Sequence, residues 1–428
     1  MYITPCTTPA MFEATINSCN QPRLVSVKFL LSLRDKAVHS LVSKQNILTK
    51  PGRRIKKLLS TETMNSTASA ASVDHSISKL EDEPYLQALT ISTLFSFPMI
   101  LKAAVELDVL GIISRAGSAG VSAGDIASHI PTKDPDASRR VDRMLCLLAV
   151  NSILTCSLSE NDERGVQRIY RLSPTGRYFV QQGDEGSAAS MLALNAHPIT
   201  MEVWSHAKDT ILGGGNEFKK VHKKSAFHYT NIDPTYNQIF NQAMADLTTK
   251  VMNQVLQIYG GFERLGSLVD VAGGTGKCLA VITSKYPPIK GINFDVPHVV
   301  ATAPFYPGIK HVGGDMFASV PKGEAIMIKD ALHNWDDEHC IKVLKNCYES
   351  LPEKGKAIII NVLMPKAPDS TLASRYITQL DATMLIQLGS HERTQKQFEA
   401  LCMASGFSEF WVADHLAYSV WAIMEFRK

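Results

Sequence analysis

From Leu80 onward the apolar positions recur at helical spacing, and from Leu265 they fall into short runs separated by helical stretches. The spacing predicts an apolar helix pair over Tyr85–Leu110, interrupted near Pro98. A short helix follows through Ile130, opened by Ser122 and Asp125 in a capping-box pattern. A further helix over Ala137–Ile153 carries Val141, Met144, Leu145 and Leu148 on one face. Two β segments, Leu154–Leu158 and Arg168–Leu172, then flank a polar turn. Helix, turn, helix and a two-stranded wing make a winged-helix pattern, which serves DNA binding or a dimerisation platform. Residues 181–260 read as helical, with Met and aromatic residues at helical spacing. Five β runs then alternate with helices: Ser267–Val271, Gly291–Val296, Ile309–Val312, Ala325–Ile328 and Ala357–Val362. That alternation predicts an α/β fold with a doubly wound parallel sheet. Phe410–Ala413 and Val420–Phe426 are placed to add a closing hairpin.

Composition narrows the class. The chain has 428 residues, 45% hydrophobic and 20% charged, enough for a large core in two to three domains. The net charge of +3 and a weakly basic winged-helix segment argue against a dedicated nucleic-acid partner. No apolar run reaches the roughly 18 residues of a membrane helix. Cys6, Cys19, Cys146, Cys156, Cys278, Cys340, Cys347 and Cys402 are scattered without a CxxC pair, which speaks against a disulfide scaffold or zinc site. No carboxylate/His set stands at metal-ligand spacing, so a metal is not expected. The default location is therefore a reducing, cytoplasmic one.

The charge is unevenly placed. Residues 1–63 carry ten basic and three acidic residues, net +7, and the remainder is net −4. This leader is Ser-, Lys- and Arg-rich, with Arg53, Arg54, Lys56 and Lys57 clustered, and three readings compete. It is a transit peptide to a plastid or mitochondrion, an idle disordered tail, or a stretch upstream of a true start at Met64. The third is favoured, because an ordinary domain begins soon afterwards. The expected plan is a leader over 1–63, a winged-helix-like dimerisation domain over 64–180, a helical connection over 181–260, and an α/β domain over 261–428 that carries the candidate chemistry.

The clearest chemistry lies at the start of the sheet. Leu268 to Lys277 places Asp270, Ala272, Gly273, Gly274 and Gly276 between a strand and a helix. Glycines there admit positive φ and close approach of a ligand to the backbone. Asp295 ends the next strand, 25 residues after Asp270, where a carboxylate suits a ribose diol. A Gly-rich turn alone is shared by nicotinamide, flavin and adenosyl cofactors, and also by turns that bind nothing. Asp315 stands where it can accept from an adenine amino group, with Met316 flanking the ring. Lys329 and Trp335 flank the end of the fourth strand; the indole either stacks on a base or packs in the core. No Walker loop is present.

Together the segments VDVAGGTG, GINFDVPHV, YPGIKHVGGDMF, LHNWDDEHC, LKNCYESLPEKGK and ERTQKQFEALC closely resemble plant S-adenosylmethionine-dependent O-methyltransferases of the caffeic acid type. The likeness runs from about Leu80 to Lys428. It implies a Rossmann-like methyltransferase domain, a homodimer formed through the winged-helix-like domain, and S-adenosylmethionine contacts at Ala272, Asp295, Asp315, Met316 and Lys329.

Methyl transfer to a phenol needs alignment and removal of the hydroxyl proton. His333 lies just beyond the fourth strand, where such sheets bind ligands, and a neutral imidazole is a natural base near pH 7. It also matches the family's catalytic base. The resemblance places two orienting acids at Glu392 and at position 361, where Asn361 stands in place of the usual Glu. An Asn carbonyl can accept the imidazole N–H but stabilises its cation less. Ala272 replaces a usual Gly, Asn334 a common Asp, and Asp330 a common aromatic. By family position the acceptor pocket is lined by Leu194, Asn195, Tyr236, Phe240, Met244, Thr383, Met384 and Gln387, with Trp204 and Met201 behind. Tyr236, Phe240 and Met244 share one helix face, which ordinary core packing also explains.

The expected activity is O-methylation of a phenolic plant metabolite: a phenylpropanoid, flavonoid, coumarin or similar compound. Two alternatives stay open at this point. One is N-methylation of a small amine, hinted at by the polar Tyr236, Asn195 and Gln387 and tolerant of a weaker base. The other is a weakly active homologue acting as a dimer partner, motivated by Ala272 and Asn361.

Overall fold

A computed structural model describes residues 84–161, 165–181, 183–413 and 416–428. The leader and the Met64 start lie outside the described residues.

Helix α1 (Pro84–Thr93) buries none of its residues and exposes Tyr85, Ile91 and, just beyond it, Phe95. Helix α2 (Ser96–Glu106) buries Leu101 and Ala104. The break between them falls at Leu94 and Phe95, not at Pro98. Pro98 sits in the first turn of α2, where its missing N–H has no helical partner to lose. No single described helix is long and apolar enough to cross a membrane; only the bent pair α1–α2 passes that test of length and composition. Helix α3 (Val109–Ala116), absent from the sequence reading, inserts five consecutive buried residues.

The winged-helix part follows closely. Ser122 caps α4 (Ala123–His129), and both halves of the capping box with Asp125 form. Helix α5 (Ala137–Val150) ends three residues earlier than the pattern suggests. Ser152 turns left-handed at φ 60°, its N–H bonds Ala149 O, and the Ile153 N–H reaches back to Leu148 O. That is a Schellman stop without glycine. Strand β1 (Val121–Ser122) joins the hairpin β2 (Leu154–Asn161) and β3 (Gly165–Leu172) in the order β1-β3-β2.

A run of helices bridges to the second sheet: α6 (Ala188–Asn195), α7 (Pro198–Trp204), α8 (Ala207–Gly213), α9 (Glu217–His222), α10 (Ala226–Tyr229) and α11 (Pro234–Ile258). Asp233 caps α11 by accepting from Thr235 N and Tyr236 N, with Pro234 at its first position.

The second sheet has seven strands: β4 (Ser267–Val271), β5 (Lys290–Asp295), β6 (Ile309–Gly313), β7 (Ala325–Lys329), β8 (Lys356–Val362), β9 (Glu409–Val412) and β10 (Trp421–Arg427). Their order is β6-β5-β4-β7-β8-β10-β9. The first five are parallel, and β10 runs antiparallel to both β8 and β9, forming the expected closing hairpin. Six of the seven β8 residues are buried, as a strand covered on both faces requires. Helices α12 (Lys277–Lys285) and α11 pack on one face; the short α13 (Pro297–Val300) follows β5, and α14 (Asp337–Ser350) and α16 (Gln395–Ala404) pack on the other face. The order reverses at β4, which pairs with β5 on one side and β7 on the other. The crevice beyond the carboxyl ends of β4 and β7 is therefore where a ligand belongs.

Candidate active site

The loop after β4 is built around two buried oxygens. Asp270 is fully buried, and burial pushes its carboxyl up to about 7 despite the opposing charge of Lys329. Its Oδ2 and the Oδ1 of Asn293 have no partner among the described residues. Gly273 covers both: a Cβ there would stand 2.2 Å from Asn293 Oδ1 and 2.8 Å from Asp270 Oδ2. Asn293 Nδ2 donates to Gly274 O at 2.9 Å and so holds the loop from the neighbouring strand. Gly274 has φ 60° and no atom within 4 Å of the position a Cβ would take. Gly276 is also left-handed, at φ 86°. Ala272 shares that conformation at φ 58°, so its methyl does bear the cost of a left-handed L-residue.

Asp295 closes the crevice at the end of β5. Its oxygens accept from Gly274 N at 2.8 Å and Val296 N at 2.7 Å, which leaves lone pairs for a diol. Burial raises its carboxyl, partly offset by those two N–H donors. Asp315 accepts from Phe317 N at 2.9 Å, and Met316 packs on the core with its carbonyl bonded by Asn346. Trp335 sits in an aromatic group, its ring 4.8 Å from Phe317 and stacked on His339 at 5.7 Å. Lys329 is buried and bonded by Asp330 Oδ2 at 2.5 Å. Burial works against its charge, but Asp330 outweighs it and the ammonium is held above its ordinary range. Asp330, at φ 48°, also accepts from Trp421 Nε1 at 3.1 Å. A Gly-rich turn open at Gly274, beside an Asp295 with lone pairs to spare, fits a ligand that brings a donor diol, such as an adenosyl amino acid.

Beyond β7 a tight turn, Leu332–Asn334, carries His333. The ring is buried, and its Nδ1 lies 2.6 Å from Glu392 Oε1. Burial disfavours the imidazolium, but the Glu392 carboxylate more than compensates and lifts His333 above its ordinary value. Nε2 has no partner among the described residues. Asn361, on β8, does not accept from the ring as the sequence reading expects. Its Nδ2 donates to Glu392 Oε2 at 3.1 Å, and its Oδ1 is buried without a partner among the described residues. The reason is chemical: a carboxylate offers only acceptors, so the amide must present N–H to it. The chain is thus Asn361 to Glu392 to His333, with Asp381 Oδ1 accepting from the Glu392 N–H at 2.8 Å.

The acceptor-pocket candidates divide. Leu194 and Tyr236 are buried in one apolar cluster, with Phe240 and Met244 packed against it. Met384 and Gln387 lie on a wide helical turn, Met384–Leu388, which packs against the turn carrying His333 and against α7. Thr383, at the end of α15 (Leu372–Thr383), bonds its own helix at Gln379 O. Asn195 is exposed at the end of α6. Met201 is 43% exposed and does not back the pocket, whereas Trp204 packs on Val203, Phe218 and Ile386. Tyr236 and Gln387 are both already bonded by Thr200, at 3.4 Å to its hydroxyl and 3.3 Å to its carbonyl. Thr200 thus engages one polar group of each. Thr200, Asn293 and Asp381 escape the sequence reading, because nothing local marks a residue whose partner is distant in the chain.

The structure does gather one set of metal-type ligands that spacing does not reveal. Atoms of His206, Asp209 and Glu217 lie within 4.8 Å of one another. Glu217 Oε2 is already bonded by the Lys220 ammonium at 2.9 Å, which takes the place of a cation.

A family model for the O-methyltransferase domain matches residues 204–408, and one for the O-methyltransferase dimerisation domain matches residues 89–182. The caffeic acid 3-O-methyltransferase of Catharanthus roseus is 46% identical over 356 residues, spanning 83% of this chain and 98% of that protein. That of Medicago sativa is 47% identical over 350 residues, 81% of this chain and 95% of its own. Among solved structures, human N-acetylserotonin methyltransferase in complex with S-adenosylmethionine superposes with TM-score 0.69 at 21% identity, over 85% of this chain and 99% of that one. A mitomycin 7-O-methyltransferase shares the fold at TM-score 0.63 and 19% identity, over 84% and 100%. The dimerisation domain makes a second copy of this chain its partner, and the substrate is a small molecule. The chain belongs to the S-adenosylmethionine-dependent O-methyltransferases that carry an N-terminal dimerisation domain, the family that includes the plant caffeic acid 3-O-methyltransferases.

Proposed function

We propose that this enzyme methylates a phenolic hydroxyl of a phenylpropanoid-type acceptor, with His333 as the general base. The observation that carries the reading is the 2.6 Å contact between His333 Nδ1 and Glu392 Oε1, with Nε2 left free. Glu392 fixes the tautomer with the proton on Nδ1, so Nε2 presents its lone pair to an acceptor hydroxyl. When Nε2 takes the phenol proton, the imidazolium that forms lies against a carboxylate in a buried site. Asn361 holds the other carboxylate oxygen and keeps Glu392 turned toward the ring.

S-adenosylmethionine, when bound, supplies an electrophilic methyl on a sulfonium centre. Asp295 would hold its ribose diol, and Asp315 and Met316 its adenine, while Asp270 and Gly273 would support the loop from beneath. Gly274, open where a Cβ would stand, would let the ligand approach the backbone of the turn from Ala272 to Gly276, and Lys329 and Trp335 would bound the crevice at the end of β7. Leu194, Tyr236, Phe240 and Met244 supply an apolar wall for a flat aromatic acceptor, completed by Thr383, Met384 and Gln387. The caffeic acid relatives support an acceptor of that class.

The test is methyl transfer from labelled S-adenosylmethionine to caffeic acid, other catechols, flavonoids, coumarins and small amines. Label in phenol products, lost in His333→Ala, is the expected result. Label in amines alone would overturn the reading.

A further inference from the structure

The residue after Glu392 is as unusual as Glu392 itself. Arg393 has no solvent exposure, although burying a guanidinium is costly unless every donor is satisfied. Its Nη1 donates to Leu332 O at 2.7 Å and its Nη2 to Trp335 O at 2.7 Å. Those two carbonyls stand on either side of His333, at the start and just past the end of its turn. Nε bonds Asp337 Oδ1 at 2.8 Å, at the head of α14. The Cys340 thiol, from the first turns of the same helix, also donates to Leu332 O at 3.2 Å. The backbone on both sides is tied down, by Asp381 at the Glu392 N–H and by Met364 N at the Arg393 carbonyl.

We infer that Arg393 is a positioning residue for the methyl-transfer reaction: its guanidinium brackets the main chain on both sides of His333 and sets where the imidazole stands. Consecutive residues of one strap then hold the base twice, Glu392 by the ring and Arg393 by the backbone. Carbonyls bonded by a charged, planar fork are held more tightly and more directionally than by neutral donors. A base in a turn of three residues has little else to fix its distance from the acceptor, and a displacement of about 1 Å can cost on the order of 100-fold in rate. The inference rests on the reading of His333 as the base.

The experiment compares two phenolic acceptors, one neutral at the assay pH and one nitro-substituted catechol already ionised there. The wild-type dimer, Arg393→Lys, Asp337→Asn and His333→Ala are assayed side by side, with S-adenosylmethionine affinity measured by calorimetry. An acceptor that arrives ionised has no proton to lose, so it tolerates a misplaced base. Arg393→Lys is expected to lower kcat about 10- to 100-fold on the neutral phenol and much less on the ionised one, with cofactor affinity within about twofold. Asp337, which is 59% exposed, can be changed without opening a cavity; Asp337→Asn is expected to show the same selectivity at a smaller size and an unchanged melting temperature. Equal losses on both acceptors in these two variants, or a matching loss of cofactor affinity, would overturn the inference and leave Arg393 a fold-stabilising residue. His333→Ala separates the two levels. If its loss does not depend on the acceptor, the base reading itself fails; if it does while the other two variants show no selectivity, only the role of Arg393 fails.

Discussion

Asn361 bonds the far oxygen of the carboxylate that holds His333, with Nδ2 3.1 Å from Glu392 Oε2, while its own Oδ1 faces no partner among the described residues. One half of this amide supports the base and the other half is an uncompensated buried acceptor. Asn361→Leu removes both at once with a side chain of the same branching. It also leaves Glu392 Oε2 buried without that donor, and an unsatisfied buried acceptor costs about 1–3 kcal/mol. The expected outcome is a melting temperature about 2–8 °C below wild type and a kcat on a neutral phenol about tenfold lower, as Glu392 loses its anchor. Thermal melts and initial rates on the same preparations check it; an unchanged rate would remove Asn361 from the catalytic group.

The electrostatics of His333 set the pH profile. Burial alone lowers an imidazole and the Glu392 carboxylate raises it, with the second winning. The base works as the neutral ring, so kcat is expected to rise with pH through a limb centred above about 6.5. In Glu392→Gln burial remains and the carboxylate is gone, so the limb moves below that value and the plateau falls. For stability the sign is opposite: a raised imidazole adds stability below its unfolded value, and that contribution fades as pH climbs through the folded one. A limb unmoved by Glu392→Gln would show that another group titrates.

Ala272 tests the cofactor loop. Its φ of 58° penalises the methyl that glycine lacks. Ala272→Gly is expected to raise unfolding stability by about 0.5–1 kcal/mol, relief of strain being partly offset by the entropy of an added glycine. Urea midpoints at unchanged slope measure this, alongside S-adenosylmethionine affinity. No gain would mean that the loop already accommodates the methyl.

Helix α1 tests the dimer. Tyr85 is 70% and Ile91 65% exposed on a helix with no buried residue. The second copy is expected to pack on this apolar surface, whose residues from Leu89 onward fall in the matched dimerisation domain. Ile91→Asp is expected to shift sedimentation from dimer toward monomer; a dimer that survives the charge would place the interface elsewhere.

What the sequence revealed and what it hid follow from the range of the interactions. The capping box at Ser122 and Asp125, and all five parallel strands within a residue or two, are local patterns. His333 and Glu392 were legible through a family resemblance, although 59 residues separate them. Pro98 misled because proline breaks helix interiors and not first turns. The end of α5 misled because a serine, Ser152, took the left-handed position that usually announces itself as glycine. The amide orientation of Asn361, the engagement of Tyr236 and Gln387 by Thr200, and the Arg393 fork needed coordinates, since each partner comes from another element.

The most direct measurement is the pair of numbers for His333→Ala: turnover on a neutral phenol and affinity for S-adenosylmethionine. General-base catalysis of this kind is worth about 100- to 10,000-fold. The expected result is a loss of that size in kcat, with cofactor affinity within about twofold of wild type. A variant that keeps more than about a tenth of its turnover, or that loses cofactor binding in step with its rate, would contradict the assignment of His333 as the base.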